Sequence, residues 1–273
     1  MNIAQALAQA KTLGLEHLEV QTLLLHALGR DLHDRAWLVL HDLDEPSLDT
    51  LQAFNTLVQR RLSQEPLGYL TGSQDFHGLK LSVDQRVLVP RPDTETLVDW
   101  ALSLDLEQAK VLDLGTGSGA IALALKHARP SWSVTAVDAS ADALLVASGN
   151  ALALSLTVNF VHSSWFAQLQ DKFDLIVSNP PYIAEGDPHL PALHSEPRQA
   201  LVSGADGLDD IRHIIAQAPN HLNAGAWLLL EHSFDQAPAV CAMLVQCGFV
   251  QVQSRVDLAG IKRCSGGQWP EVK

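Results

Sequence analysis

The first 75 residues show the spacing of amphipathic helices. Apolar side chains recur every three or four positions in three stretches, 3–10, 20–28 and 48–62, and this period predicts one helix in each stretch. The segment 44–47 (DEPS) is a suitable start for the third helix, because proline is tolerated in a first helical turn. We therefore predict a helical bundle over residues 1–75.

The pattern changes at residues 76–92. Two short apolar runs, 76–83 and 86–89, flank a polar turn, which is typical of a β-hairpin. The segment 90–93 (PRPD) ends the second run, and Asp93 or Thr94 can cap the helix that follows. We predict a β-hairpin linker at 76–92.

From residue 93 to residue 273, strand patterns alternate with helical ones. The predicted buried strands are 111–114, 134–137, 158–161, 174–177 and 227–230, with edge strands at 249–252 and 256–258. This alternation predicts a doubly wound, mostly parallel α/β sheet. Ligands of such sheets bind beyond the carboxyl ends of the strands.

A glycine-rich turn follows the first of these strands. It spans 113–120 (DLGTGSGA), and Asp138 ends the next strand. Glycines let the backbone approach a ligand closely, and a carboxylate placed like Asp138 can bind ribose hydroxyls, so the pair predicts an adenosine-containing cofactor. We expect Asp113 at the mouth of the turn, where its charge would repel a pyrophosphate and attract a sulfonium. This favours S-adenosylmethionine over NAD, which the spacing alone leaves open.

A rigid polar segment, 178–182 (SNPPY), ends the strand predicted at 174–177. Pro180 and Pro181 each fix their own φ angle and restrict the backbone of the residue that precedes them, so the segment from Asn179 to Pro181 is stiff. The Asn179 side-chain oxygen and the Pro180 carbonyl could accept the two N–H bonds of a planar amide or amine, and Tyr182 adds a flat wall. Such acceptors would orient the nitrogen lone pair and stabilise the positive charge that grows on it. The segment predicts methyl transfer to a weakly basic nitrogen.

Together these segments resemble the family of release factor glutamine methyltransferases. The resemblance rests on 113–123 (DLGTGSGAIAL), Asp138, 163–166 (SSWF) and 179–183 (NPPYI), and it extends to 65–78 (EPLGYLTGSQDFHG), 87–95 (VLVPRPDTE) and 195–208 (SEPRQALVSGADGL). It implies a Rossmann-like methyltransferase that uses S-adenosylmethionine. The implied substrate is the glutamine of the Gly-Gly-Gln motif in peptide chain release factors 1 and 2.

The resemblance also implies roles for individual residues. The cofactor would be bound by Gly115, Thr116, Gly117, Ser118, Gly119, Asp138, Trp165 and Asn179. The substrate glutamine would be held by Asn179, Pro180, Pro181 and Tyr182, and catalysis would depend on Asn179, Pro180 and Tyr182. The bundle at 1–75 would dock the release factor, and no metal is expected.

Three features stand apart from this pattern. At 231–233 the chain has Glu-His-Ser, whereas the family more usually has a glutamate, an apolar residue and a glycine. Glu231 is therefore retained, and the next two positions differ. The chain carries its own Gly-Gly-Gln at 266–268, which we expect to be a turn rather than a target of self-methylation. Arg91 and Arg198 adjoin prolines, and could orient loops, touch substrate or be solvated.

Charge and composition narrow the choice of function. The chain has 18 basic and 31 acidic residues, a net charge of −13, and a protein that binds nucleic acid by itself normally has a basic face. An adenine or guanine amino-methyltransferase acting on DNA or RNA is therefore the alternative, and a non-catalytic cofactor-binding scaffold is a third hypothesis. Without a long apolar stretch, a secretion-signal pattern or paired cysteines, we expect a cytoplasmic monomer that binds neither membranes nor nucleic acid directly.

Overall fold

The computed structural model describes residues 1–271 and contains two compact units, Met1–Ser73 and Gln74–Lys273. Each unit has its own apolar core. Within the described residues, no helix combines the length and apolar character needed to cross a membrane.

The N-terminal unit is a bundle of five helices. These are α1 (Ile3–Thr12), α2 (His17–Ala27), α3 (Arg35–Leu40), α4 (Leu48–Leu62) and α5 (Leu67–Thr71). The Asn2 side chain caps α1, and Arg61 of α4 forms an ion pair of 2.8 Å with Glu19 of α2. The predicted bundle is confirmed, while α3 and α5 were not predicted because helices this short show little periodicity.

The hairpin lies earlier in the chain than the sequence pattern predicts. Its strands are β1 (Ser73–Phe76) and β2 (Leu79–Ser82), so the prediction of strands at 76–83 and 86–89 is wrong. His77 and Gly78 both have left-handed backbone, with φ of +47° and +77°. Two such residues in succession form the tight turn that joins hairpin strands, so the first apolar run contains the turn instead of one strand.

The C-terminal unit is built on a sheet of seven strands. They are β3 (Lys110–Leu114), β4 (Ser133–Asp138), β5 (Asn159–His162), β6 (Phe173–Ser178), β7 (Leu222–Glu231), β8 (Val250–Val256) and β9 (Lys262–Gln268). Their order is β5-β4-β3-β6-β7-β9-β8, in which β3 to β7 run parallel and β9 is antiparallel to both its neighbours. The predicted doubly wound fold is confirmed.

Five helices, preceded by the 3-10 turn Pro92–Thr94, flank the sheet. They are α6 (Glu95–Ser103), α7 (Ala120–Ala128), α8 (Ala141–Ala153), α9 (Asp209–His221) and α10 (Ala237–Cys247). One apolar cluster includes side chains from α6 and α7, and a separate cluster includes side chains from α9 and α10. The strand order reverses between β3 and β6, where crevices for ligands form in such sheets. The glycine-rich turn and the Asn-Pro-Pro-Tyr segment follow these two strands directly.

The C-terminal strands differ from the prediction. A single strand, β8, contains residues 250–252 of the first expected edge strand and only Val256 of the second, expected at 256–258, and β9 inserts between β7 and β8. The tripeptide 266–268, expected as a turn, is therefore part of an internal strand. A Cβ at Gly266 would lie 2.5 Å from the Leu228 carbonyl oxygen and 2.9 Å from the Trp100 ring. Position 266 therefore requires glycine, although glycine is disfavoured inside a strand. For this reason the apolar and polar pattern of the sequence does not predict β9.

We expect Gly266→Ala to lower the free energy of unfolding by about 1–3 kcal/mol, because the added methyl group overpacks the sheet. Gly149→Ala is the matched control, since Gly149 lies in α8 and a methyl group added there would meet no neighbouring side chain within 4 Å. This control should stabilise the protein by about 0.5–1 kcal/mol. Urea unfolding followed by fluorescence measures both changes, and equal stability of the two variants would contradict the packing argument.

Candidate active site

A cleft lies at the carboxyl ends of the central strands. Residues expected to bind the cofactor or the substrate form much of its lining: Gly115, Gly117, Asp138, Trp165, Asn179 and Pro181. The tertiary structure therefore brings together residues from four separate parts of the sequence.

The glycines of the turn after β3 have two different tasks. Gly115, Gly117 and Gly119 all have left-handed backbone, with φ of +70°, +56° and +85°. Gly115 and Gly117 line the cleft, and a Cβ at Gly115 would lie 3.4 Å from the Trp165 ring. Gly119 instead permits close helix packing, because a Cβ there would lie 3.2 Å from Ala147 in α8.

The Asp138 carboxylate is held in place by backbone donors. Its Oδ2 accepts a hydrogen bond from the Gly117 N–H at 2.9 Å, and its Oδ1 accepts one from the Ser140 N–H at 2.8 Å. Each carboxylate oxygen can accept more than one hydrogen bond. Both oxygens therefore retain capacity for a pair of hydroxyl groups in the cleft.

Asp113 does not stand at the mouth of the turn, so that expectation is wrong. Its side chain is fully buried, and its Oδ2 accepts hydrogen bonds from the Thr116 hydroxyl at 2.6 Å and the Ala122 N–H at 3.2 Å. Because Ala122 lies in the first turn of α7, the carboxylate caps this helix, where negative charge is favourable. Burial raises the pKa of Asp113 to about 7. Thr116 and Ser118 are also buried and do not line the cleft.

Trp165 forms a wall of the cleft in an uncommon conformation. Its φ of +48° is costly for a bulky residue. The indole Nε1 donates to Asp210 Oδ1 at 3.2 Å, and Asp210 Oδ2 accepts from the Ser203 hydroxyl at 2.7 Å. These contacts hold the ring beside Gly115, and strained residues of this kind cluster at functional sites.

Asn179 lies where two cavities meet. A second cavity is lined by Leu88, Arg91, Asn179, Tyr182, Ile183, Leu193, Ala200 and Leu201. Asn179 lines both cavities, Tyr182 lines only the second, and Pro180 is buried and lines neither. A ligand in one cavity can therefore approach a ligand in the other beside the Asn179 amide.

Buried polar groups stand behind this junction. Asn179 Nδ2 donates to the Thr94 hydroxyl at 3.2 Å, and the Tyr182 hydroxyl donates to Glu231 Oε1 at 3.2 Å. Glu231 is buried at the end of β7, and its Oε2 has no hydrogen-bond partner within residues 1–271. Burial raises the pKa of Glu231 to about 7, although the neighbouring Thr94 and Tyr182 hydroxyls lower it.

Several wall residues were not predicted as site residues. The cleft is also lined by Arg86, Val87, Leu88, Ala139, Ser140, Ala143, Ser163, Pro197, Gln199 and Ala200.

Arg91 forms an ion pair with the buried Glu196, whose Oε1 accepts from the Val89 N–H at 3.0 Å. Arg91 thus joins two wall segments, while Arg198 lines neither cavity. Residues more than 100 positions apart form this pair, which local pattern cannot reveal.

The departure at 231–233 affects packing between strands. The His232 imidazole is fully buried, with Nε2 placed 2.8 Å from the Ser265 hydroxyl and Nδ1 placed 2.8 Å from the Ser233 carbonyl oxygen. Burial lowers the pKa of His232. The neutral ring can donate to the carbonyl and accept from the hydroxyl, and so it connects β7 with β9.

Comparisons with known proteins agree with this architecture. A family model for the methyltransferase small domain matches residues 93–254, and one for the PrmC N-terminal domain matches residues 2–72. A release factor glutamine methyltransferase of Bordetella pertussis is 48% identical over 262 residues, covering 93% of this chain and 95% of the relative. One of Xylella fastidiosa (strain Temecula1) is 46% identical over 271 residues, covering 97% and 98%.

A crystal structure of a methyltransferase from Pyrococcus furiosus has the same fold. Its TM-score is 0.56 at 18% identity, over 71% of this chain and 90% of that one. The fold, the cleft at the strand reversal and the sequence identity along almost the full length lead to one conclusion: this chain belongs to the release factor glutamine methyltransferase family.

Proposed function

We propose that this chain transfers a methyl group from S-adenosylmethionine to the glutamine side-chain nitrogen of the Gly-Gly-Gln motif in release factors 1 and 2. The observation that carries this proposal is the position of Asn179 at the junction of two cavities. One cavity suits a nucleoside-containing cofactor, and the other suits a small side chain. The names of the close relatives support the choice of substrate.

The first cleft fits the cofactor. The Asp138 carboxylate would accept hydrogen bonds from the two ribose hydroxyls, and the Trp165 ring would contact the flat face of the adenine. The backbone of Gly115 and Gly117 leaves room for the methionine part. When bound, S-adenosylmethionine supplies an electrophilic methyl group on a positively charged sulfur.

The second cavity would hold the substrate glutamine beside Tyr182. Asn179 Oδ1 and the Pro180 carbonyl would accept the two N–H bonds of the amide, which directs the nitrogen lone pair toward the cofactor cleft. The nitrogen forms a bond to the methyl carbon while the carbon–sulfur bond breaks, and the product then loses a proton to water. Because positive charge grows on the nitrogen, fixed oxygen dipoles stabilise the transition state more than the ground state.

The N-terminal unit would dock the release factor. Four large apolar side chains of this unit are between 69% and 85% exposed: Val39, Leu40, Leu43 and Leu48. They lie within ten residues of one another in the sequence, and large exposed apolar side chains grouped in this way are candidates for a protein-binding surface. We propose that these four side chains contact the protein substrate in the cytoplasm.

Incubation of the purified protein with isotopically labelled S-adenosylmethionine and a release factor tests the proposal. Mass spectrometry should locate one added methyl group on the glutamine of the Gly-Gly-Gln motif. A release factor with alanine in place of that glutamine is the control substrate. Equal labelling of the control, or label only on nucleic acid, would overturn the proposal.

We expect Asp138→Ala to weaken S-adenosylmethionine binding by about 10–100-fold, because hydrogen bonds to a charged group are lost. Asp171→Ala is the matched control, since Asp171 is exposed and does not line the cleft. Calorimetric titration measures the dissociation constants, and far-ultraviolet circular dichroism verifies folding. Wild-type affinity in a folded Asp138→Ala variant would remove Asp138 from the cofactor site.

Asn179→Ala should lower kcat by about 10²–10³-fold, as does the loss of one preorganised polar group at a reacting centre. Cofactor affinity should change by less than about threefold, since most cofactor contacts would come from other residues. Methyl transfer to release factor and calorimetric titration measure the two effects. Asn159→Ala, at an exposed position of β5, provides the control. A larger loss of cofactor affinity than of kcat would contradict a role on the substrate side.

A further inference from the structure

Tyr182, a wall residue of the second cavity, is held at both ends by one connection of the chain. Glu231 is the last residue of β7, and Gln236 directly precedes α10. The Tyr182 hydroxyl donates to Glu231 Oε1 at 3.2 Å, and Gln236 Nε2 donates to the Tyr182 carbonyl oxygen at 3.0 Å. We propose that Gln236 is a positioning residue, whose amide fixes the main chain of Tyr182 and thereby sets the place of the ring in the substrate cavity. This inference rests on the proposed function, in which the second cavity holds the substrate glutamine.

The Asn-Pro-Pro-Tyr segment depends on other parts of the chain to hold it in place. Pro180 and Pro181 have no N–H group, so neither can donate a main-chain hydrogen bond. The anchorage of the segment therefore depends more on carbonyl oxygens and side chains than in an ordinary loop. The hydroxyl and the carbonyl of Tyr182 are both used in this way, and the place of the ring depends on the two hydrogen bonds together.

The surroundings of the Gln236 amide permit only one orientation. Its Nε2 faces three carbonyl oxygens, that of Tyr182 at 3.0 Å and those of Asp206 and Gly207 at 3.4 Å each. Its Oε1 accepts from the Ser233 N–H at 2.9 Å. Carbonyl oxygens only accept hydrogen bonds and backbone N–H groups only donate them, so a reversed amide would lose all of these contacts. The NH₂ group of Gln236 is therefore fixed toward Tyr182.

The chain is packed tightly around the hydrogen bond between Gln236 and Tyr182. Gly207 has left-handed backbone, with φ of +75°, and a Cβ there would lie 2.2 Å from the Tyr182 carbonyl oxygen and 2.9 Å from Gln236 Nε2. Gln236 itself is only 8% exposed. A buried carbonyl that loses its donor is costly, because water cannot easily take the donor's place. We therefore expect the Tyr182 main chain to move when the Gln236 amide is removed.

The Gln236 side chain does not cap the helix that follows it. Gln236 occupies the cap position of α10, yet its side chain makes no capping hydrogen bond. The main chain closes the turn before the helix instead, since the Gln236 N–H donates to the Ser233 carbonyl at 3.1 Å. Gln236 also lines neither cavity, so it acts on the substrate through Tyr182. Its replacement should displace Tyr182 and leave α10 and the cofactor cleft intact.

Two substitutions with matched controls test the assignment at pH 8. Gln236→Met keeps the length of the side chain without its polar end, and Gln236→Glu keeps the shape but replaces the donor NH₂ group with an acceptor oxygen. Gln246→Met and Gln246→Glu are the controls, since Gln246 is an exposed residue of α10. With a release factor as substrate, both Gln236 variants should lower kcat/KM by about 10-fold or more. The S-adenosylmethionine dissociation constant should change by less than about threefold, and the controls should match the wild type.

A second measurement needs neither release factor nor cofactor. The chain contains two tyrosines, Tyr69 and Tyr182, so protein labelled with 3-fluorotyrosine gives two ¹⁹F signals, which Tyr182→Phe assigns. The Tyr182 signal should move by more than its line width in both Gln236 variants, because the ring leaves its wild-type surroundings. It should stay in place in both Gln246 variants, and the signal of Tyr69, in α5, should not move in any of the four.

Far-ultraviolet circular dichroism verifies the folding of each variant. The ¹⁹F readout reports the position of Tyr182 even if the wild type fails to methylate release factors. Such a failure would overturn the proposed function alone.

Three results would overturn the assignment of Gln236. The first is wild-type kcat/KM or an unmoved Tyr182 signal in a folded Gln236 variant. The second is a parallel loss of cofactor affinity and kcat/KM, which would show that the whole site is disturbed. The third is loss of folding in both Gln236 variants, which would assign the amide to the stability of the C-terminal unit instead of the position of Tyr182. Where only one variant folds, that variant decides.

Discussion

The hydrogen bond between the Asn179 amide and the Thr94 hydroxyl restrains the side chain that lies where the two cavities of this site meet. Asn179 follows β6 directly and lines two cavities at once, so its oxygen and its nitrogen are not interchangeable. The adjoining prolines restrict the backbone, and the hydrogen bond to Thr94 restrains the side chain. Fixed dipoles of this kind are effective because little reorganisation is needed when charge develops.

Two buried carboxyl groups support the loops that form the site. Asp113 lies beneath the glycine-rich turn and caps α7, whereas Glu231 lies behind the Asn-Pro-Pro-Tyr segment and accepts from Tyr182. Each carboxyl has one oxygen without a partner within residues 1–271, and burial raises the pKa of both groups to about 7. Burying such groups is costly, and both are used to hold main-chain or side-chain donors next to the ligand cleft.

The elements that are predictable from the sequence are those with a local signal along the chain. Helices α1, α2 and α4 of the N-terminal bundle and the five parallel strands were predictable, since each has its own apolar period. The strand β9 was missed, because close contacts with Leu228 and Trp100 demand glycine at position 266. The hairpin was misplaced because its turn residues, His77 and Gly78, lie inside an apolar run.

The sequence by itself determined the alternation of strands and helices, the glycine-rich turn and the proline-restricted Asn179, because these features depend on neighbours along the chain. Only the tertiary structure decided that Asp113 points into the protein and that Arg91 pairs with Glu196. It also placed the Thr94 hydroxyl beside the Asn179 amide. These partners lie far apart in sequence, and hydrogen bonds depend on distance and direction in space, which residue spacing does not encode.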